Sequence, residues 1–140
     1  MNVIVDTPIW SLALRRRRLA LSGREVRLVD GWTKLVKQHS VALIGPIRQE
    51  CLSGIRDAGV FERLRETLRA FEDIPLNVGH FEEAARSSNH CRSKGIAGST
   101  IDFLICAVSV QTGWPIYTTD KDFDRYARHL PINLWRVTSK

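Results

Sequence analysis

Short apolar runs alternate along the chain with longer segments in which apolar residues recur every three or four positions. The short runs are typical of buried strands, and the wider spacing is typical of amphipathic helices. Strands are predicted at residues 3–5, 41–44, 74–76, 115–117 and 132–135. A first helix is predicted to begin at Pro8, and further helices are predicted at residues 22–38, 47–55, 61–71, 81–92, 101–108 and 120–129.

The alternation of strands and helices predicts an α/β fold. Parallel strands need crossover connections, and the helices in those connections cover both faces of the sheet. We therefore expect a single domain over residues 1–140, with a parallel sheet of about four to five strands and helices on both faces. In such folds the functional residues lie just beyond the carboxyl ends of the strands.

The composition is that of a soluble globular protein, with 44% apolar residues, 26% charged residues and a mean hydropathy of −0.16. No apolar run approaches the roughly 18 residues that a membrane-spanning helix requires. The chain does not begin with a basic stretch followed by a long apolar one, so nothing resembles a signal peptide. We expect a cytoplasmic protein that does not associate with membranes.

Basic residues outnumber acidic residues. The chain contains 21 Lys and Arg against 15 Asp and Glu, which gives a net charge of +6 and a pI near 9.7. This balance favours a polyanionic partner such as nucleic acid. The densest basic run is either a solvated turn after the first helix or a contact for RNA phosphates. It consists of Arg15, Arg16, Arg17 and Arg18.

Carboxylates follow or flank the predicted strands. Asp6 comes directly after the first strand, and Asp120 comes shortly after the fourth. Glu50 lies about one turn into the helix after the second strand, and Asp102 lies in the first turn of the helix before the fourth. Because the carboxyl ends of parallel strands meet at one edge of the sheet, we expect these acids to converge there, with Asp122 close behind.

Converging carboxylates repel one another unless a cation neutralises them. Sites with oxygen ligands alone suit Mg²⁺ or Mn²⁺. These ions activate water and stabilise the leaving oxygen when a phosphodiester is hydrolysed. The acids therefore predict a metal-dependent nuclease site, and the basic surface suits its substrate.

Most of these acids also have a purely structural interpretation. Asp102 completes the pattern Ser99-x-x-Asp102, which is typical of a capping box. Asp120 could cap the following helix, with Asp122 as an acidic residue in its first turn. Glu50 could be an exposed helix residue. These interpretations stay open for each residue alone, and the joint position of the acids favours a metal site.

Asp6 is harder to explain structurally. Thr7 can cap the first helix and Pro8 suits the first helical position, so the start of the helix is already supplied. A carboxylate directly after a fully apolar strand then needs another explanation. Asp6 is therefore the strongest single candidate for a metal ligand.

Four motifs follow one another in the chain, and each contains at least one of the acids. They are VIVDTPIW at residues 3–10, PIRQE at 46–50, IDFLICA at 101–107 and IYTTDKDF at 116–123. In order and spacing they resemble the motifs of PIN-domain ribonucleases, and specifically those of the VapC toxins of bacterial toxin–antitoxin modules. The resemblance spans nearly the whole chain. One departure is Pro8, where the family more often has Ser or Asn.

The resemblance implies a Mg²⁺- or Mn²⁺-dependent endoribonuclease that inhibits translation by cleaving RNA. It also implies a homodimer and a cognate antitoxin, whose C-terminal segment blocks the site. By position, the catalytic and metal-binding acids are expected to be Asp6, Glu50, Asp102 and Asp120, with Asp122 as an outer metal ligand. The hydroxyl groups expected to support the metal or its waters are those of Thr7, Thr118 and Thr119. For the basic run at residues 15–18, a solvated turn and a contact with RNA or the antitoxin both stay open.

Three other functions are compatible with parts of the pattern. A phosphoaspartate enzyme of the haloacid-dehalogenase type also has Asp after its first strand, but it needs a second Asp where this chain has Pro8. A PIN fold that binds RNA or protein without cutting it stays an alternative. A nuclease that cuts DNA is another, because the metal chemistry is the same and only contacts to the 2′-hydroxyl distinguish the polymers. The resemblance favours RNA.

Overall fold

A three-stranded parallel sheet forms the centre of the computed structural model, which describes residues 1–137. Its strands are β1 (Val3–Val5), β2 (Val41–Ala42) and β3 (Ile116–Tyr117), in the order β2-β1-β3. Every residue of the central strand β1 is buried, so both faces of the sheet are covered. The predicted α/β fold with a parallel sheet is confirmed.

Two of the five predicted strands form no regular ladder: the run 132–135 contributes a single bridge, and the bridge near the run 74–76 lies one residue before it, at Asp73. Leu43 pairs with Asp73 on one edge of the sheet, and Ile116 pairs with Leu134 on the other, both in parallel. Pro75 has no backbone N–H to donate, which weakens any ladder at residues 74–76. Within residues 1–137 the sheet therefore has three regular strands, and it reaches five only when these bridges are included.

Seven α-helices accompany the sheet within residues 1–137. They are α1 (Thr7–Leu14), α2 (Gly23–Lys37), α3 (Gly45–Leu52), α4 (Ala58–Leu68), α5 (Val78–Ser93), α6 (Thr100–Thr112) and α7 (Asp122–Ala127). The helices predicted at 47–55 and 61–71 end earlier, at Leu52 and Leu68. No helix in the described range combines the length and the apolar character needed to cross a membrane.

The first helix begins one residue earlier than predicted. Asp6, and not Thr7, is its N-cap, because the Asp6 carboxylate accepts a hydrogen bond of 2.8 Å from the Thr7 amide. Thr7 and Pro8 are then the first two helical residues. Asp6 keeps an extended backbone (φ −82°, ψ 160°), so one residue ends the strand and caps the helix. The expectation that Thr7 caps this helix was therefore wrong.

Aromatic packing holds α1 in place. Trp10 is buried, and its indole Nε1 donates to the Val5 carbonyl at 2.9 Å. Its ring meets the rings of Trp32 and Phe71 edge to face, with centroids 5.7 and 5.0 Å away. Helix α1 is thereby packed against α2 and the segment after α4, which fixes the position of Asp6 at its start.

Helix α6 lies deep in the core. Its residues 103–109 are all buried, and α5 packs along it. The Ser109 hydroxyl donates to the Trp114 carbonyl at 2.6 Å and secures the far end of the helix. A helix this deeply packed gives Asp102, in its first turn, a rigid support.

Candidate metal centre

The acids identified in the sequence lie around the carboxyl edge of the sheet. Asp6 ends β1 and Asp120 follows β3 by three residues, and these two strands are parallel neighbours. Asp102 lies in the first turn of α6, Asp122 begins α7, and Glu50 lies in α3. Three helices and two strand ends therefore contribute to one region.

Asp6 is deeply buried, with 5% of its surface exposed. Its Oδ1 accepts a hydrogen bond from the Thr7 amide and its Oδ2 accepts one from the Thr118 hydroxyl, both at 2.8 Å. The pKa of Asp6 is raised to about 6, mainly because burial penalises the charged form. The two hydrogen bonds lower this pKa, and the nearby charges of Asp102 and Glu50 raise it. A cation beside Asp6 would relieve this unfavourable electrostatic environment.

Glu50 is joined to this group through Thr7. The Thr7 hydroxyl donates to Glu50 Oε1 at 2.8 Å and so links α1 to α3. Helix α3 is itself anchored by Arg48, whose Nε donates to Asp73 Oδ1 at 2.9 Å. Glu50 is therefore an exposed helix residue, as its structural interpretation requires. Its carboxylate is also held next to Thr7, the residue that follows Asp6.

Asp102 forms only half of the predicted capping box. The Ser99 hydroxyl accepts a hydrogen bond of 3.1 Å from the Asp102 amide and caps α6. The Asp102 carboxylate instead accepts a hydrogen bond at Oδ2 from the Tyr126 hydroxyl, at 2.6 Å. Burial raises the pKa of Asp102, the hydrogen bonds from Tyr126 and Ser99 oppose the rise, and the charges of Asp120 and Asp122 add to it.

Tyr126 was not identified from the sequence. It is fully buried, and burial together with the Asp102 carboxylate raises its pKa, so the hydroxyl keeps the proton that it donates. Gly98 makes this contact possible, because a Cβ at position 98 would lie 2.8 Å from Tyr126 Cζ and 2.9 Å from Phe103 Cε2. In the sequence Tyr126 is only an apolar position of the last helix, and no local signal marks its hydroxyl.

Thr118 connects Asp6 to Asp120. Its hydroxyl donates to Asp6 and accepts a hydrogen bond of 3.0 Å from the Asp120 amide. Asp120 Oδ1 in turn accepts a hydrogen bond of 2.9 Å from the amide of Asp122, the first residue of α7. Asp102, Asp120 and Asp122 each present a carboxylate oxygen, and these three atoms lie within 4.8 Å of one another.

This arrangement fits a hard divalent cation. All of the donors are carboxylate oxygens, which suit Mg²⁺ or Mn²⁺. Ligands on opposite sides of Mg²⁺ are about 4.2 Å apart, and a spacing within 4.8 Å is close to that value. Burial is the main cause of the raised pKa values of Asp6 and Asp102, and neighbouring carboxylates add a smaller part whose repulsion a cation would remove.

The three predicted hydroxyl supports divide into two groups. Thr7 and Thr118 each donate to a carboxylate, Glu50 in one case and Asp6 in the other. Thr119 makes no side-chain hydrogen bond to another residue of the described range. Thr7 and Thr118 therefore position acids, whereas Thr119 has no such contact.

The basic run at residues 15–18 is exposed throughout. Arg16 pairs with Glu25 at 3.7 Å, and Arg18 pairs with Asp30 at 3.1 Å. Both pairs lie at the surface, where such pairs contribute about 0–1 kcal/mol. The run directly follows α1, the helix that Asp6 caps.

Residues 3–129 match the family model of the PIN domain, and this span contains all five acids. The chain belongs to the PIN-domain family. The resemblance carried by the four sequence motifs is thereby confirmed. No curated protein sequence matches the chain significantly.

Solved structures share the PIN fold over almost the whole chain. FitAcB from Neisseria gonorrhoeae matches with a TM-score of 0.71 at 16% identity, over 96% of each chain. VapBC2 from Rickettsia felis, bound to a DNA fragment from their promoter, matches with a TM-score of 0.74 at 14% identity, over 96% of this chain and 98% of that one. VapBC-5 from Mycobacterium tuberculosis, a member of the VapBC family of toxin–antitoxin systems, matches with a TM-score of 0.66 at 18% identity, over 97% and 98%. At such identities the likeness shows the fold alone.

Proposed function

We propose that this PIN domain is a Mg²⁺- or Mn²⁺-dependent endoribonuclease and the toxin of a toxin–antitoxin pair, which inhibits translation by cleaving RNA. The observation that carries the proposal is the group of three carboxylate oxygens, from Asp102, Asp120 and Asp122, within 4.8 Å of one another. Asp6 and Glu50 are tied to the same region through Thr118 and Thr7.

The side chains of this region are organised before any substrate arrives. Asp102, Asp120 and Asp122 would hold the cation, with Asp6 and Glu50 beside them. Bound there, the cation would supply the positive charge that activates a water and neutralises the phosphate being cleaved. The protein holds its carboxylates by hydrogen bonds from Thr118, Thr7 and Tyr126, which reduces the reorganisation needed on binding.

The proposal includes a cognate antitoxin as partner. Its support is the fold shared with structures described as VapBC toxin–antitoxin systems. We expect a C-terminal segment of the antitoxin to cover the acids and to block cleavage. A crosslinking or hydrogen-exchange experiment on the complex would locate that segment, and protection that spares the region around Asp6 and Asp120 would contradict this part of the proposal.

The proposal also includes a homodimer. Helix α5 carries two exposed apolar side chains, Val78 at 72% and Phe81 at 52% exposure, and pairing of two copies would cover such surface. Light scattering during gel filtration measures the mass directly. A Phe81→Glu variant is expected to shift a dimer towards the monomer, and a monomeric wild type would exclude this part of the proposal.

The decisive experiment incubates purified, antitoxin-free protein with total cellular RNA and Mg²⁺ or Mn²⁺. Discrete products are expected from the wild type, and they should disappear with a chelator or in Asp6→Asn. Asp30→Asn is the matched control, because it removes the same charge from an exposed residue that pairs with Arg18 outside the acid cluster.

Two outcomes would replace the proposal. Metal-loaded protein that binds RNA and never cuts it would indicate a binding module with the PIN fold. Cleavage of DNA but not of RNA of the same sequence would indicate a nuclease directed at DNA. Both polymers are therefore tested with each metal.

A further inference from the structure

Two basic grooves flank the end of helix α1. Groove A has a volume of about 780 Å³ and lies between α1, the start of α2 and the segment after β3. Groove B has a volume of about 820 Å³ and lies between the end of α1 and α4. The charged residues that line groove A are Arg15, Arg16, Arg24, Glu25 and Lys121. Basic residues of groove B are Arg15, Arg17, Arg56 and Arg63.

Of the two grooves, only groove A adjoins the acid cluster. Its residues Thr119 and Lys121 directly flank Asp120, and Lys121 also precedes Asp122. At its other end it includes Pro8, two residues after Asp6. None of the residues that line groove B is a sequence neighbour of the five acids. Thr119 and Lys121 also line a smaller cavity that Asp120 itself lines, and groove B shares no residue with that cavity. Groove A thus adjoins the proposed cleavage site, whereas groove B does not.

The charge of groove A is available to an anion. Four cations line it against one carboxylate, that of Glu25. Glu25 is already engaged, because it accepts a hydrogen bond of 3.0 Å from the Ser22 amide and pairs with Arg16 at 3.7 Å. Within residues 1–137, neither Arg24 nor Lys121 forms an ion pair. A cation without a carboxylate partner can bind a phosphate without first breaking a contact.

We infer that groove A binds the phosphate backbone of single-stranded RNA on one side of the cut, with Lys121 nearest the acids and Arg16 and Arg24 farther along. This inference rests on the proposed function and specifies where the RNA lies on the protein surface. Phosphate contacts of this kind fix the position of a nucleic acid without reading its bases, so they hold the scissile bond at the acids. The basic run at residues 15–18 is then divided, because Arg16 lines groove A alone, Arg17 lines groove B alone, and Arg15 lies between the two and lines both.

The test compares two double variants with the same change in charge. Arg16→Gln with Arg24→Gln removes two cations from groove A, and Arg56→Gln with Arg63→Gln removes two from groove B. All four arginines are exposed, so each variant should fold like the wild type. Binding of a fluorescent single-stranded RNA is measured by anisotropy between 50 and 200 mM salt with EDTA present, so that binding is measured without cleavage.

The groove A variant is expected to bind RNA about tenfold more weakly. A plot of the logarithm of its association constant against the logarithm of the salt concentration should be less steep than that of the wild type by about 1.4, which corresponds to two single-strand phosphate contacts. The groove B variant should keep the slope of the wild type. Equal effects of the two variants, or an unchanged slope for groove A, would overturn the inference, as would a wild type that does not bind RNA at low salt.

A parallel cleavage assay with Mg²⁺ or Mn²⁺ separates the two proposals. If RNA binds through groove A and is never cut, the nuclease proposal fails and the groove stands. If the wild type cuts RNA and the groove A variant binds and cuts with unchanged KM, the nuclease stands and the groove assignment fails. A KM raised in the groove A variant alone supports both.

Discussion

Tyr126 donates its phenolic hydrogen to Asp102 Oδ2 over 2.6 Å, from a position with no solvent exposure. The ring is fixed by Phe103 and Phe123, whose centroids lie 5.0 and 5.1 Å away. Because this hydrogen bond fixes Oδ2, the other carboxylate oxygen of Asp102, Oδ1, keeps one orientation. Tyr126 is therefore a positioning residue for the candidate metal centre.

Tyr126→Phe is expected to keep the packing and to weaken Mn²⁺ binding by about tenfold, as is typical when a partner of a metal ligand is removed. Affinity is measured by isothermal titration calorimetry, independently of activity. Tyr117→Phe is the matched control, because it removes a hydroxyl that donates to the Leu28 carbonyl at 2.6 Å and touches no acid. Equal Mn²⁺ affinity in the wild type and Tyr126→Phe would rule out the positioning role.

Gly98→Ala is expected to displace Tyr126, because the added Cβ would lie 2.8 Å from Cζ of that ring. We expect a loss of about 1–3 kcal/mol in the free energy of unfolding, together with weaker Mn²⁺ binding. Gly23→Ala is the control, since its Cβ would meet no atom within 4 Å. Denaturant unfolding and calorimetry give the two quantities, and a Gly98→Ala protein as stable as the wild type would contradict the close contact.

Asp122 and Asp124 offer a test within one helix turn. Both are acids in the first turn of α7, but only Asp122 joins the cluster, whereas Asp124 pairs with Arg136 at 2.9 Å. Metal at 100 times its Kd should stabilise the wild type by about 2.7 kcal/mol. We expect Asp122→Asn to reduce the shift in melting temperature caused by Mg²⁺ or Mn²⁺, and Asp124→Asn to retain it. The same shift in both variants would remove Asp122 from the metal site.

Asp6 makes the metal-free protein sensitive to pH. Its pKa is raised to about 6 in the folded state, so the folded protein binds this proton more tightly than the unfolded chain. The resulting stability is fully present below the ordinary Asp pKa near 4, is lost as the pH rises towards 6, and stays lost above it. The size of the effect is up to about 3 kcal/mol.

Asp6→Asn should remove this dependence. In EDTA at pH 7 the variant is expected to melt at a higher temperature than the wild type, because no charge is buried, although it should lose cleavage. Asp30→Asn serves as control, since it removes the same charge from an exposed residue outside the acid cluster. Melting curves between pH 4 and 8 decide the matter, and a wild type that gains stability from pH 4 to 6 relative to Asp6→Asn would refute the raised pKa.

The general location of the site could be predicted from the sequence. Asp6 and Asp120 each follow an apolar run, and parallel strands bring such positions to one edge. The hydrogen bonds that position these acids could not be predicted, because a hydroxyl such as that of Thr118 can bond to a metal, a water or a carboxylate equally well. Only the fold shows that it joins Asp6 to Asp120.

Other features depend on contacts between distant segments. Tyr126 reaches Asp102 from a helix 24 residues further along the chain, and no periodicity encodes that meeting. Gly31 weakens the prediction of α2, yet it is explained by tertiary packing, because a Cβ there would lie 2.8 Å from the Tyr117 hydroxyl. The apolar runs at 74–76 and 132–135 indicate strands but do not show whether a ladder forms, because that depends on the neighbouring strands.

The hydrogen bond between Thr118 and Asp6 joins residues 112 positions apart. A chain emerging from a ribosome therefore has no complete acid cluster until residue 122 is free to fold. For a protein proposed to cut RNA, this order of synthesis has a consequence. The growing chain cannot cleave its own mRNA or the RNA of the ribosome that makes it until residue 122 has been synthesised.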